Sequence, residues 1–219
     1  INKPLFFFFF SSYDLDSNRT NDTLRQYSVI LPGFRRNVLF EEFTSNASFA
    51  CANNNEALDE FINANPLSVN AIKYHLPLGT TGIDSFYLQN PVQNNERTLY
   101  YYGQVIAVPN TIADGKIIAQ IPYGDSLNLY NPYNQRLAKG TPLSIEVTDE
   151  RISADSIKAD VTIEVASRLS AGNYRLKINA VQRYAKSFAA NGDSIFYDIF
   201  KRVYPDTIGI IVPESPGIY

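Results

Sequence analysis

The chain is poor in the residues that most often carry chemistry: its 219 residues include one cysteine, one histidine, no methionine and no tryptophan. A single cysteine excludes an internal disulfide and a zinc site built from several thiolates, so folding must depend on burial of a core. The formal net charge of −3 and the lack of a dense Lys/Arg segment argue against nucleic acid as a partner. No apolar run approaches the roughly twenty residues of a transmembrane helix, so no membrane span is predicted.

A run of phenylalanines lies near the start of the chain, in Leu5 to Phe10 (LFFFFF), shortly after Lys3. Six residues are too few to span a bilayer, but they favour a β-strand and carry no charge. One interpretation is an edge strand covered by its own domain, and another is the tail of an export signal. A third is that the run pairs with the exposed sheet edge of a neighbouring subunit. The residues that would make that contact are Phe6, Phe7, Phe8, Phe9 and Phe10.

The first half of the chain has the order of a strand, a short loop and a helix. An apolar strand is predicted over Asn37–Phe43, and a helix over Asn55–Asn63 from its apolar stripe. Further on, Val108-Pro109 precedes two strand-like runs joined by Asp114-Gly115, a dipeptide typical of tight hairpins. This order resembles the thioredoxin fold, in which the proline at that place follows a cis peptide bond. We therefore predict that the Val108–Pro109 bond is cis.

The thioredoxin fold carries two cysteines at the start of the helix, where the helix dipole lowers the pKa of the attacking thiol. Ser48 stands at the place of the attacking cysteine, and Cys51 at that of the second, usually buried one. Because a hydroxyl cannot exchange a disulfide, the resemblance implies a degenerate motif of Ser48, Cys51 and Pro109 without a catalytic residue. No cofactor and no metal site is predicted. A nucleophilic pair of Cys51 and His75 lacks any supporting local signature.

The second half of the chain is rich in β-formers. A helix over Ser126–Lys139, which includes Pro132, is predicted to close the first domain. Three long alternating runs then follow without a helix between them: residues 141–149, 156–166 and 173–184. This succession predicts antiparallel strands in an immunoglobulin-like sandwich, and so an α+β chain. The predicted divisions are an extended segment over 1–30, a degenerate thioredoxin-like domain over 31–139 and a β-sandwich over 140–219.

The order of these parts is similar to the twenty-eight-kilodalton outer-membrane protein family of the Bacteroidetes, in which a thioredoxin-like half precedes a β-sandwich half. The residues that carry the resemblance are 38–44 (VLFEEFT), the Ser48/Cys51 pair, Ala57-Leu58, Val108-Pro109, 191–196 (NGDSIF) and 201–205 (KRVYP). The resemblance implies an exported protein that is extracellular or at the cell surface, in association with the outer membrane. The chain departs from the family in its missing first cysteine. It also lacks strands that the family has after Pro205, so the sandwich is either incomplete or continued in sequence beyond Tyr219.

Five triplets of Asp, Ser or Thr, and an aliphatic residue are similar to the O-glycosylation pattern of exported Bacteroidetes proteins. The hydroxyl-bearing candidates are Thr23, Ser126, Ser156, Ser194 and Thr207. The alternative is that these triplets arise by chance, since Asp, Ser and Thr are common in turns.

The missing nucleophile, the β-rich halves and the 15 tyrosines and 14 phenylalanines favour a non-enzymatic structural or adhesive protein within an assembly. Its expected partners are other surface proteins or copies of itself, with glycan as a further ligand class. One alternative is a glycan- or peptide-binding module, with candidate polar groups at His75, Asp84, Glu96 and Arg97. The other is a residual thiol-redox protein acting through Cys51, which a buried position makes a poor nucleophile.

Overall fold

The computed structural model describes residues 3–10, 23–30, 33–79, 82–101, 103, 105, 107–154 and 156–219, with the backbone alone described for 3–10 and 23–30. This part of the chain is mixed α+β, with three α-helices. In chain order the elements are β1 (Lys3–Phe10), β2 (Thr23–Ile30), β3 (Val38–Thr44), α1 (Phe49–Ala64), β4 (Val69–His75), a 3₁₀ turn (Tyr87–Gln89), α2 (Pro91–Tyr100), β5 (Asn110–Ala113), β6 (Ile117–Ile118), α3 (Ser126–Leu137), β7 (Leu143–Arg151), β8 (Ile157–Val165), β9 (Arg175–Leu176), β10 (Ile178–Lys186), β11 (Ile195–Tyr204), β12 (Ile210–Ile211) and β13 (Gly217–Ile218).

A six-stranded mixed sheet forms the centre of the larger of two units, which comprises Arg35–Gly140 and Asn173–Pro213. Its strand order is β10-β11-β4-β3-β5-β6. β3 and β4 run parallel along their whole length, and β11 runs parallel to β4. β5 pairs antiparallel with β3, and β10 antiparallel with β11. Nearly all of β3 is buried, because a strand inside a sheet that is covered on both faces has no side exposed to water.

Alternation along β3 directs its side chains into two different layers. On one face, Val38 and Phe40 pack with Leu58 and Phe61 of α1 and with Tyr133 of α3. The opposite face carries a second buried cluster made of Phe43, Ile72, Tyr74, Leu76, Tyr101, Ile112, Phe200 and Val203. Both faces of the sheet are therefore covered, and the polar residues Glu41, Glu42 and Thr44 of β3 and Lys73 and His75 of β4 lie inside the protein.

Several local predictions for the first half are confirmed. The Val108–Pro109 bond is cis, and Asp114 and Gly115, with φ of 48° and 62°, turn β5 into β6. α3 continues through Pro132 as predicted. α1 is longer than predicted and begins at Phe49, because Ser48 caps its first turn. None of the described helices is both long and apolar enough to cross a bilayer.

The smaller unit comprises Ile1–Phe34, Thr141–Gly172 and Glu214–Tyr219, and it contains a three-stranded antiparallel sheet in the order β13-β8-β7. β7 and β8 pair in an unbroken register from Leu143 opposite Val165 to Arg151 opposite Ile157. β1 and β2 form a separate two-stranded antiparallel sheet. The side chains of the phenylalanine run lie outside the described part of the chain, so their contact with a neighbouring subunit stays a prediction.

The described strands do not form one immunoglobulin-like sandwich over 140–219, so this prediction is corrected. β10 and β11 join the six-stranded sheet, where Ile199 of β11 lies opposite Lys73 of β4. Alternation along a segment predicts a strand but does not identify the strand beside it. β11 buries Phe196, Ile199 and Phe200, which suits a position inside a covered sheet. The predicted break near residue 140 lies beside the observed one between Gly140 and Thr141, but residues 173–213, predicted to belong to the second domain, return to the larger unit.

Gly79, in the loop after β4, packs against Ala47 in the loop before α1. A substitution at Gly79 therefore tests this packing. A Cβ added at Gly79 would lie 2.5 Å from the carbonyl oxygen of Ala47 and 2.5 Å from its Cβ. We expect Gly79→Ala to lower the free energy of unfolding by about 1–3 kcal/mol, the usual cost of overpacking. Urea denaturation measures the change. Gly124→Ala is the matched control, because its Cβ meets nothing within 4 Å, and it should leave stability unchanged or slightly raised. Equal stability of the two variants would contradict the packing described.

Candidate functional site

The degenerate motif lies at the start of α1. Ser48 is the N-cap residue with an extended backbone, and its hydroxyl accepts a hydrogen bond from the Cys51 amide at 3.4 Å. Cys51, three residues further on, is 0% exposed. The serine hydroxyl therefore satisfies a free amide of the helix end, which is the ordinary function of serine at an N-cap.

The turn between β10 and β11 covers the start of α1. Asn191 is buried, and its side-chain amide donates to the Ser48 carbonyl at 3.1 Å. Its backbone amide donates to the Asn46 carbonyl at 3.3 Å. Two residues later, Asp193 accepts a hydrogen bond of 2.8 Å from the Asn55 side chain. The polar groups around the motif are thus engaged by the protein's own chain.

The environment of Cys51 keeps its thiol protonated. Burial raises the pKa of Cys51, and hydrogen bonds with Ser48 and Thr44 oppose this only in part. The negative charge of Glu42 raises the pKa further. A thiol that is both inaccessible and protonated is a poor nucleophile and a slow partner in disulfide exchange.

Below α1, the sheet carries a buried ionic cluster of Lys73, Glu42 and Asp59, called here the Lys73 cluster. Lys73 Nζ lies 2.6 Å from Asp59 Oδ1 and 3.3 Å from Glu42 Oε2. Burial raises the pKa of Glu42 and of Asp59, with Lys73 opposing the effect in both. Burial lowers the pKa of Lys73, but the two carboxylates outweigh it and hold that pKa above its ordinary value. One ammonium group thus serves two carboxylates in the protein interior.

Glu41 faces the opposite layer and holds α2 against the sheet. Arg97 donates two hydrogen bonds of 2.7 Å to its carboxylate, from Nε and Nη2, and the Tyr101 hydroxyl donates to the same group. Burial lowers the pKa of Arg97, but the hydrogen bonds and charge of Glu41 outweigh this and raise it overall. A bidentate guanidinium–carboxylate contact is geometrically specific, so it fixes the helix in one position.

His75 and Asp84 form a third buried pair, at the end of β4. His75 Nδ1 lies 2.8 Å from Asp84 Oδ2, and the carboxylate also accepts the amides of Asn46, Phe86 and Tyr87. Burial raises the pKa of Asp84, but the bond with His75 and the amide bonds outweigh it, so that pKa lies below its ordinary value. Asp84 therefore ties the loop after β4 to the loop before α1.

The structure does not bring the candidate ligand-binding groups together in one open site. His75 is paired with Asp84, and Arg97 with Glu41, whereas Glu96 is exposed on α2. His75 is bonded to Asp84 and not to Cys51, so the geometry gives no support to a nucleophilic pair. Within the described ranges there is no group of three or more side chains arranged to ligate a metal.

The candidate glycosylation residues lie at separate places in the fold. Ser126, Ser156 and Ser194 are exposed, and Thr207 is partly so. Thr23 begins β2, and its side chain lies outside the described part. Two of the preceding aspartates have local structural roles: Asp125 caps α3, and Asp206 accepts the amides of Ile208 and Gly209. Turn chemistry accounts for these two triplets, and modification at any of the five stays a prediction.

Neither the Lys73 cluster nor the contact of Glu41 with Arg97 was predicted from the sequence. The available signal was a pair of consecutive acids, Glu41-Glu42, inside an otherwise apolar strand. Consecutive residues of a strand face opposite layers, so each of the two carboxylates needs its own partner when both faces are covered. The partners, Lys73 and Arg97, lie 31 and 56 residues away, and no local pattern identifies them.

Comparisons with known proteins show similarity at the level of the fold. No protein-family model matches the chain, and no curated protein is significantly similar to it. HBP35 of Porphyromonas gingivalis is similar in structure, with a TM-score of 0.66 and 14% identity over 84% of this chain and 62% of that one. A structural-genomics protein of Agrobacterium tumefaciens has a TM-score of 0.59 and 18% identity, over 85% of this chain and 78% of that one. At these identities the comparisons show a shared fold.

The Lys73 cluster generates a prediction about stability. Lys73→Met leaves Glu42 and Asp59 without their counter-ion, and we expect a loss of about 3–5 kcal/mol in the free energy of unfolding. Adding Glu42→Gln to that variant should recover a large part of the loss, because it removes the more deeply buried negative charge. Lys158→Met is the control: its ion pair with Asp160 is exposed, so it should change stability by less than about 1 kcal/mol.

The same variants predict a pH dependence. A carboxyl group whose pKa is raised in the folded state binds its proton more tightly there, so acidification favours folding between its ordinary and raised pKa. Lys73 holds down the pKa of both carboxyl groups, so both pKa values rise further in Lys73→Met, and the deficit should shrink as the pH falls from 7 to about 5, measured by urea denaturation at each pH. A deficit that is independent of pH would argue against uncompensated carboxylates as its cause.

The burial of Cys51 predicts slow labelling by a thiol reagent in the folded protein. We expect modification on the order of a hundredfold slower than in denaturant, because the thiol is inaccessible and its pKa is raised. Phe49→Cys is the positive control, since Phe49 is 55% exposed on the first turn of α1. That variant should show one fast and one slow thiol. Fast labelling of the single thiol in the unaltered protein would contradict the buried position.

Proposed function

We propose that the protein is a non-enzymatic structural or adhesive component of the cell surface, associated with the outer membrane and working within a protein assembly. The observation that carries the proposal is the state of the motif: the Ser48 hydroxyl caps α1, and the Cys51 thiol is buried and protonated. The charged residues near Cys51, Glu42 and Asp59, form ion pairs with Lys73. The chain keeps the architecture of a redox domain while its polar residues maintain structure.

The thioredoxin-like character of the larger unit is part of the proposal. It is supported by the succession of β3, α1 and β4, by the cis bond before Pro109 and by the β5–β6 hairpin that follows. Placement at the surface is supported by the sequence resemblance to the outer-membrane family and by the likeness in fold to a protein of Porphyromonas gingivalis. The residual thiol-redox and ligand-binding alternatives have less support, since Cys51, His75 and Arg97 are buried or internally paired.

An insulin-reduction assay tests the absence of redox activity. We expect no acceleration over the reductant alone at micromolar protein, because the chain has no attacking thiol. Ser48→Cys is the informative variant: it places a second thiol three residues before Cys51, and the oxidised variant should contain a disulfide that is lost on reduction. Turnover by the unaltered protein would overturn the non-enzymatic proposal. A Ser48→Cys variant that keeps two free thiols under oxidation would count against the thioredoxin-like arrangement.

Location is tested separately on cells that express the full-length gene. Protease treatment of intact cells, followed by detection with an antibody, should degrade the protein while a cytoplasmic control protein survives. Protection of the protein until the cells are lysed would remove the surface assignment and leave the biochemical result intact.

A further inference from the structure

In the three-stranded sheet, β7 is an edge strand. β7 pairs with β8 on one side and has no strand on the other side within the described part of the chain. The face that it shares with β8 carries Leu143, Ile145 and Val147, followed by Asp149 and Arg151, and the apolar residues Ile145 and Val147 are 57% and 55% exposed. An unprotected strand edge beside an apolar face is a template for an added strand.

The chain also contains a two-stranded sheet with a free edge. β1 pairs only with β2, in a sheet of two strands, and two-stranded sheets are marginally stable on their own in water. Its second edge has no strand beside it in the described ranges. β1 carries Lys3 and no acid, whereas β7 carries Glu146, Asp149 and Glu150 against Arg151. The two free edges are therefore complementary in charge.

We propose that β1 of one copy of the chain pairs antiparallel with the free edge of β7 in a second copy. The antiparallel register that places Lys3 opposite Glu150 also aligns the apolar positions of the two strands. It places Phe6 opposite Val147, Phe8 opposite Ile145 and Phe10 opposite Leu143. The same register places Leu5, Phe7 and Phe9 opposite Thr148, Glu146 and Ser144, so the three apolar pairs and the Lys3–Glu150 pair are the ones that favour it.

The partner is therefore a second copy of the chain, and the two chains form one continuous sheet of five strands. The contact joins the edge of β1 in one copy to the edge of β7 in the other, so it is heterologous. It either closes in a dimer, in which each copy donates β1 to the other, or continues as an open chain of copies. The inference deepens the proposed function and rests on it in one respect, that the protein works in an assembly.

Sedimentation velocity over a concentration series tests the contact with the full chain. We expect the unaltered protein to associate as its concentration rises. Val147→Lys places a charge on the apolar face of β7 and should weaken association at least tenfold. Thr162→Lys is the control: it adds the same charge to the polar face of the same sheet, on β8 and away from the free edge, and it should have a smaller effect. A protein that stays monomeric throughout, or equal effects of the two variants, would overturn the proposal.

Charge reversal tests the register and the identity of the partner. Lys3→Glu and Glu150→Lys each oppose like charges across the contact, so each alone should weaken association by about two- to fivefold. An equimolar mixture of the two variants should recover it, because the carboxylate introduced in one chain then meets the ammonium group introduced in the other. In the second contact of the mixture, the unaltered Lys3 meets the unaltered Glu150. Recovery on mixing cannot arise from pairing within one chain, or from the loss of the Glu150–Lys158 neighbour inside the hairpin. Failure to recover would overturn the proposed pairing.

The two proposals fail in different ways. Rescue on mixing combined with protection of the protein in intact cells would keep the strand exchange and remove the surface role. Surface exposure combined with a monomer at every concentration would keep the surface role and remove the strand exchange.

Discussion

The larger unit depends on one buried contact, the position of Lys73 between Asp59 and Glu42. Charges in an interior are tolerated only when they are paired, because the energy of dehydration has to be offset by close opposite charges. Lys73 belongs to β4, Glu42 to β3 and Asp59 to α1, so their contact links two parallel strands to the helix above them. The same helix begins at Ser48 and holds Cys51, and the position of the motif therefore depends on this cluster.

The polar residues near the start of α1 hydrogen-bond to backbone groups of the protein. A serine caps the helix, an asparagine from a distant turn donates to its first carbonyls, and an aspartate gathers the amides of two loops. Each interaction adds a side-chain hydrogen bond to a backbone group at or just before the start of α1. An active centre needs the reverse condition, with exposed and activated groups. The geometry therefore accounts for these polar residues as part of the framework of the larger unit.

The two units differ in how completely their sheets are covered. The six-stranded sheet has a buried cluster on each face, whereas the three-stranded sheet leaves part of its apolar face open to solvent. A sheet of that kind gains stability when another strand or surface covers it. In the proposed pairing, β1 of a second copy supplies such a strand to the smaller unit.

The sequence by itself predicted a strand before Ser48, a helix after it and the hairpin at Asp114-Gly115, because each depends on residues close together in the chain. The cis bond before Pro109 was predicted from the resemblance to the thioredoxin fold. The one cysteine in these 219 residues was likewise evident from the sequence. Only the tertiary structure decided that β11 lies beside β4 and that Glu42, Lys73 and Asp59 form one cluster. The physical reason is that hydrophobic alternation fixes which face of a strand is buried, while the identity of its neighbours depends on pairing across the whole chain.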